Sequence, residues 1–184
     1  MLSKASKTYQ KLLKEKFLLV QCVQTSFLMA TGDVVCQQLV EKRGFRKHSN
    51  ARTAQFAFLG FCLVGPAVTA WYKLLARTFG YDKNAKSTLC KVACDQLIFA
   101  PGFLVIFISS VGLLHGLNAE QINDKLKKEH FEIVKTNWKI WPAVQVINFY
   151  FVPLKYQVLL VQAVAIFWNA YLSWMTQGGG DEKS

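Results

Sequence analysis

Residues 137–174 read NWKIWPAVQVINFYFVPLKYQVLLVQAVAIFWNAYLSW, and past Lys139 the only charge in this run is Lys155. As one helix, the 35 residues after Lys139 would extend about 52 Å, against about 30 Å of hydrocarbon in a bilayer. A single straight span is therefore excluded. Pro153 supplies the break, because proline has no amide hydrogen, clashes with the preceding turn and suits the first turn of a new helix. Two helices meeting at residues 151–154 follow. Trp138 and Trp141 precede the first apolar stretch, and Trp168, Tyr171 and Trp174 close the second, where amphipathic rings anchor at a boundary between membrane and water. The alternative, a buried hairpin in a water-soluble protein, is disfavoured because the rest of the chain repeats the pattern.

Composition sets the same bound. Of the 184 residues 52% are hydrophobic and only 18% are charged, below the roughly 25% of soluble domains. That is too much apolar surface for one soluble core. The net charge of +11 invites a nucleic-acid reading, but the cations fall between apolar runs, with no basic groove interleaved with stacking aromatics. They read as membrane flanks, so lipid and not nucleic acid is the expected partner. The five cysteines, Cys22, Cys36, Cys62, Cys90 and Cys94, contain no C-x-x-C pair and read as reduced thiols acting as small hydrophobes. His48, His115 and His130 lack ligand spacing, so neither a metal nor a cofactor is expected.

Residues 1–16 carry five lysines, with apolar residues near helical spacing. This basic amphipathic segment reads either as an uncleaved mitochondrial address or as the positive flank of the first span. The first span, 17–40, places Ser26, Ala30, Asp33 and Gln37 on one face. An aspartate at mid-membrane depth costs about 2.5 to 3.5 kcal/mol on insertion scales, so Asp33 is expected to face the bundle interior, a wet cavity or a cation. Both a polar clamp between helices and a pore lining satisfy that demand. A loop, 41–52, with five positive charges and one negative leads into the second span, 53–76, where Ala57, Gly60, Gly65 and Pro66 allow close approach or a kink. In the third helix, 89–116, Lys91 and Asp95 stand at i and i+4 and can pair near its entry. Gln96 opens its uncharged core, Pro101 is a second kink, and Ser109, Gly112 and Gly116 form a small-residue packing stripe.

Residues 119–130 form a short amphipathic helix capped by Asn118 and expected on the membrane surface. The fourth helix, 131–151, carries Asn137, Trp141, Gln145 and Asn148 along one face, and the fifth, 153–175, carries Gln162, Ile166, Asn169 and Ser173. Such stripes are either interhelical glue or the wall of a wet path. Residues 17–177 are thus one membrane domain, and 178–184 a flexible tail. The expected fold is an all-α, multi-pass transmembrane bundle of four to five long helices plus a surface helix. Orientation does not follow: the N-terminus and the loops after the first and second helices carry five Lys or Arg each, so the positive-inside rule is balanced.

The pieces GDVVCQQLVEKRG (32–44), VGPAVTAWYK (64–73), DQLIFAPGF (95–103), NWKIWPAVQVINFYFVPLKYQ and WNAYLSW resemble the Mpv-seventeen and peroxisomal membrane protein family, with the likeness covering nearly all of 5–175. Within that family the chain looks closest to the Mpv-seventeen members. One departure is Gln157, where the family usually has arginine after VPLxY. If that arginine pairs with a membrane acid such as Asp33 or Asp95, either Lys155 substitutes here or the pair is missing. The resemblance implies a multi-pass protein of the mitochondrial inner membrane, with a peroxisomal membrane as the alternative. It also implies a weakly selective solute channel tied to nucleotide supply and mitochondrial DNA maintenance.

Three function classes follow. The polar stripes, Asp33 and the basic mouths fit a channel for small, anionic metabolites, narrow, gated or formed in a homo-oligomer. The same stripes fit a non-conducting scaffold, in which they are packing glue. An enzyme ranks last, since there is no H-E-x-x-H and no G-x-S-x-G.

Overall fold

A computed structural model describes residues 11–12, 15–80, 85–150 and 154–176, and every regular element among them is helical. Five long helices follow one another: α1 Phe17–Val40, α2 Asn50–Phe79, α3 Ala85–Leu114, α4 Ala119–Tyr150 and α5 Leu154–Trp174. A short 3-10 turn, Phe45–Lys47, interrupts the loop between α1 and α2. Most of the N-terminal segment 1–16, the Pro153 junction and the tail 178–184 lie outside the described residues.

Length and composition suit α1, α2 and α3 to cross a membrane. Their outward faces agree. Phe27, Leu39, Leu97, Leu113 and, on α5, Phe167 are each 66% exposed or more, a belt of apolar surface that water would not tolerate on a monomer. The fold is thus an all-α membrane bundle.

Residues 119–130 are not a separate surface helix, as the sequence suggests. They are the first third of α4, which runs unbroken through 131–150 and past Pro142. At 32 residues it is about 48 Å long, more than a bilayer's apolar thickness. Its charged N-terminal part therefore continues the axis of its apolar part without a break. Nothing between Glu129 and Phe131 stops a helix: there is no Gly, no Pro and no capping residue. The change from polar to apolar was a change of surroundings, not of backbone. The second and third helices are also longer than their apolar cores suggest, starting at Asn50 and Ala85. Ser49 accepts from the Arg52 amide and caps the former.

Packing centres on α1, which lies against α2 and α5, while α3 and α4 form a second pair. Backbone contact is close where glycine permits it. A Cβ on Gly60 would stand 2.8 Å from the Ser26 Cα, and one on Gly65 2.8 Å from the Cys22 Cα, so α2 rides directly on α1. A Cβ on Gly32 would collide with Asn169 and meet the Ala170 amide at 2.9 Å, so α5 sits on α1 in the same way. Gly112 meets Ile122 across the turn between α3 and α4. Gly116 has no neighbour to pack on. It ends α3 at φ +74 instead. The core they enclose contains Met29, Phe56, Phe107, Ile108 and Ile133, each 2% exposed or less.

Each of α1, α2 and α3 contains one widened, π-type turn, at Cys36–Val40, Gly60–Val64 and Asp95–Phe99. The last two stand immediately before Gly65-Pro66 and Ala100-Pro101. Proline cannot donate to the carbonyl four residues back and clashes with it, and a wider turn moves that carbonyl aside.

Candidate functional site

Asp33 is fully buried, and its carboxylate is saturated. Oδ1 accepts from Arg52 Nε at 2.5 Å and from Ser173 Oγ at 2.6 Å; Oδ2 accepts from Thr53 Oγ1 at 2.6 Å and Gln37 Nε2 at 2.7 Å. The donors come from α1, α2 and α5, so one carboxylate ties three helices. The far side of the Arg52 guanidinium meets Glu41, with Nη2 to Oε1 at 2.8 Å and Nη1 to Oε2 at 3.1 Å. Nη2 also reaches Ser173 Oγ and Cys36 Sγ, at 3.3 and 3.4 Å. Arginine suits this place because its planar fork serves several acceptors at once. Gln37 closes the loop onto α1: its Oε1 accepts from the Ser49 amide at 2.7 Å while its Nε2 reaches the Ser49 carbonyl at 3.2 Å.

Thr53 has one hydroxyl proton, and it goes to Asp33. Its oxygen is then the acceptor for His48 Nε2 at 3.1 Å, and His48 Nδ1 accepts from Gln38 Nε2 at 3.1 Å. Glu41 lies just past the end of α1. Burial pushes its carboxyl up, but hydrogen bonds from Arg52 and Cys36 and the charges of Arg52 and Arg43 outweigh that and hold it below its usual value.

A second cluster joins α2, α3 and α4. Asp95 accepts from Trp71 Nε1 at 3.0 Å and from Gln96 Nε2 at 2.9 Å, and Asn137 Nδ2 donates to Gln96 Oε1 at 2.7 Å. The widened turn explains a further contact. The Ala100 amide bonds the Asp95 carbonyl and Pro101 has no amide hydrogen, so the Gln96 carbonyl has lost its helical donor. Trp138 Nε1 supplies one at 2.8 Å.

The clusters stand toward opposite ends of the bundle. Gln55, one turn below Arg52, donates to the Leu114 carbonyl at the far end of α3. Gln96 lies on that same helix about 27 Å of rise away. Between them sits the apolar core: Met29 is one turn before Asp33, Phe56 one turn after Arg52, and Ile133 one turn before Asn137.

Of the stripe residues expected from the sequence, Asp33 and Gln37 meet in the first cluster, and Asp95, Gln96 and Asn137 in the second. Ser26 is half-buried beneath Gly60, Asn169 lies against Gly32, and Trp141 packs edge-on to Trp168 with centroids 6.1 Å apart. The side chains of Gln145, Asn148, Lys155, Gln157 and Gln162 lie outside the described residues. The expected Lys91 to Asp95 pair does not form. Lys91 Nζ donates instead to the Gly80 carbonyl at 2.6 Å, where α2 ends and its carbonyls lack partners. Nor does Asp33 wait on Lys155: its cation is Arg52, read from the sequence only as part of a basic loop. The available signal was position. Arg52 stands one turn ahead of the apolar run and in phase with Phe56 and Leu59, so a cation there enters the bundle and needs a carboxylate.

The family model described as Mpv17 / PMP22 family matches residues 112–173. Among curated proteins, the mitochondrial inner membrane protein Mpv17 of Xenopus laevis is 47% identical over 169 residues, covering 91% of this chain and 94% of its own length. The human Mpv17 is 44% identical over 91% of this chain and 95% of its own, and the protein SYM1 of Gibberella zeae 45% over 91% and 94%. No solved structure matches. With relatives this similar over almost its whole length, the chain belongs to the Mpv17 / PMP22 family and is a protein of the mitochondrial inner membrane.

Proposed function

We propose that this protein is a weakly selective channel for small anionic metabolites, serving mitochondrial nucleotide homeostasis and mitochondrial DNA maintenance. The observation that carries the reading is the sequence polar, apolar, polar along the bundle. Clusters at Asp33 and Asp95 flank a plug of Met29, Phe56, Phe107, Ile108 and Ile133, and hydrophobic constrictions between polar vestibules gate by dewetting. Exposed Lys42, Arg46 and Lys47 at the Asp33 end raise the local anion concentration. The plug is packed, so this is a closed state, and any path is narrow or formed between copies. The chain carries no catalytic constellation in this reading.

Recording from purified protein in planar bilayers tests it. Discrete anion-preferring currents are expected, with a raised open fraction for Phe56→Ala. Silence from pure protein, or currents indifferent to Phe56→Ala and Asp33→Asn alike, removes the proposal. The complete saturation of Asp33 favours a second reading, a scaffold in which the network only locks helices. There Asp33→Asn lowers stability and leaves membrane permeability unchanged.

A further inference from the structure

Beside the contact of Gly32 with Asn169 and Ala170, α1 passes into its widened turn at Cys36–Val40 while still lying against α5. The space between them is an outward-facing groove of about 390 Å³, walled by Val35, Leu39 and Val40 on one side and Phe167, Ala170 and Trp174 on the other. Tyr171 also borders it, but its hydroxyl donates to Thr136 Oγ1 at 3.0 Å and makes no polar demand on the groove. In a bilayer such a groove is filled by hydrocarbon.

What meets the upper end of that hydrocarbon is set by the loop that leaves Val40. Its one acid, Glu41, is taken by Arg52 and Arg43. Lys42, Arg46 and Lys47 are exposed and have neither a carboxylate nor a carbonyl partner among the described residues. Between them Phe45 is 87% exposed, an apolar ring flanked by cations, as found at the boundary between headgroups and acyl chains. Cations beside an apolar groove at a helix end select anionic headgroups. We propose that the groove between α1 and α5 binds one acyl chain of an anionic phospholipid, whose phosphate rests on Lys42, Arg46 and Lys47. A second copy of this chain is the competing occupant. It is disfavoured because the three cations beside the groove would face the same three on the partner in a two-fold pairing.

The test uses the full chain in nanodiscs of phosphatidylcholine doped with spin-labelled phosphatidylglycerol or spin-labelled phosphatidylcholine. The expected result is a motionally restricted component several-fold larger for phosphatidylglycerol. Two variants should reduce it to the phosphatidylcholine level: Lys42→Gln/Arg46→Gln/Lys47→Gln, which removes the charge, and Leu39→Trp, which fills the groove from its exposed side. Glycerol phosphate at matched concentration should not compete, since it has no chain. Equal restriction of both lipids, indifference to both variants, full competition by glycerol phosphate, or conversion of a dimer to a monomer by Leu39→Trp would each overturn the proposal. The readout is independent of conductance.

Discussion

The indole nitrogen of Trp138 donates at 2.8 Å to the main-chain carbonyl of Gln96, on a different helix, replacing the donor that Pro101 does not have. A side chain of α4 thereby repairs the backbone of α3. Trp138→Phe keeps the ring and removes the donor, leaving a carbonyl unsatisfied at a cost of about 1–3 kcal/mol. Thermal unfolding in detergent should show the loss. Pro101→Ala in the same background returns an amide hydrogen to α3 and should recover part of it. No recovery would mean the contact is incidental.

Asp33 and Arg52 should behave as one unit. Removing Arg52 leaves Asp33 buried and charged, so Arg52→Gln should cost about 3–5 kcal/mol, whereas Asp33→Asn leaves Arg52 its pair with Glu41 and should cost less. The double variant should cost clearly less than the sum, because no lone charge remains. Additive losses would show that the two groups do not interact.

Glycine substitutions should separate by contact. Gly60→Ala places a methyl 2.8 Å from the Ser26 Cα and 2.9 Å from the Thr25 carbonyl oxygen, atoms that cannot swing away. A cost of about 1–3 kcal/mol is expected. Gly102 is helical with open space where its Cβ would stand, so Gly102→Ala should be neutral or gain about 0.5–1 kcal/mol. Equal responses in a denaturation series would contradict the close approach of α1 and α2.

Glu41 gives the protein an acid limit. Its value in the fold is below the usual 4.5, so the unfolded chain binds the proton more readily. The stability it contributes is whole above pH 4.5 and is lost as pH falls through its lower value in the fold. Melting temperature followed downward from pH 6 should drop in that window. Glu41→Gln should start lower and fall less. A parallel fall would assign the acid step elsewhere.

Much of the fold was legible in the chain, and the reasons are local. Apolar runs of spanning length fixed the helices, and Asp33 could not face lipid whatever its partner. Gly60 and Gly65 advertised close packing by lacking side chains. What was hidden is non-local or depends on backbone detail. Arg52 and Asp33 are 19 residues apart across a loop, and the lysines and arginines around Arg52 made it look like one more flank. Lys91 and Asp95 have the right spacing to pair, yet free carbonyls at the end of α2 and an indole at Trp71 compete more effectively. Only the fold brings those competitors within reach.

The widened turns also change how the sequence of such a chain must be drawn on paper. A wide turn takes up one residue more than an ordinary one, and each residue is worth about 100° of rotation. Past Val64 in α2 and Phe99 in α3, the compass bearing of every side chain is therefore offset from the bearing before it. A helical wheel plotted across one of these points merges two faces that the molecule keeps apart. Lipid-facing and inward-facing positions in α2 and α3 are properties of half-helices, and an insertion or deletion of one residue beside such a turn would swing one half by about 100° relative to the other.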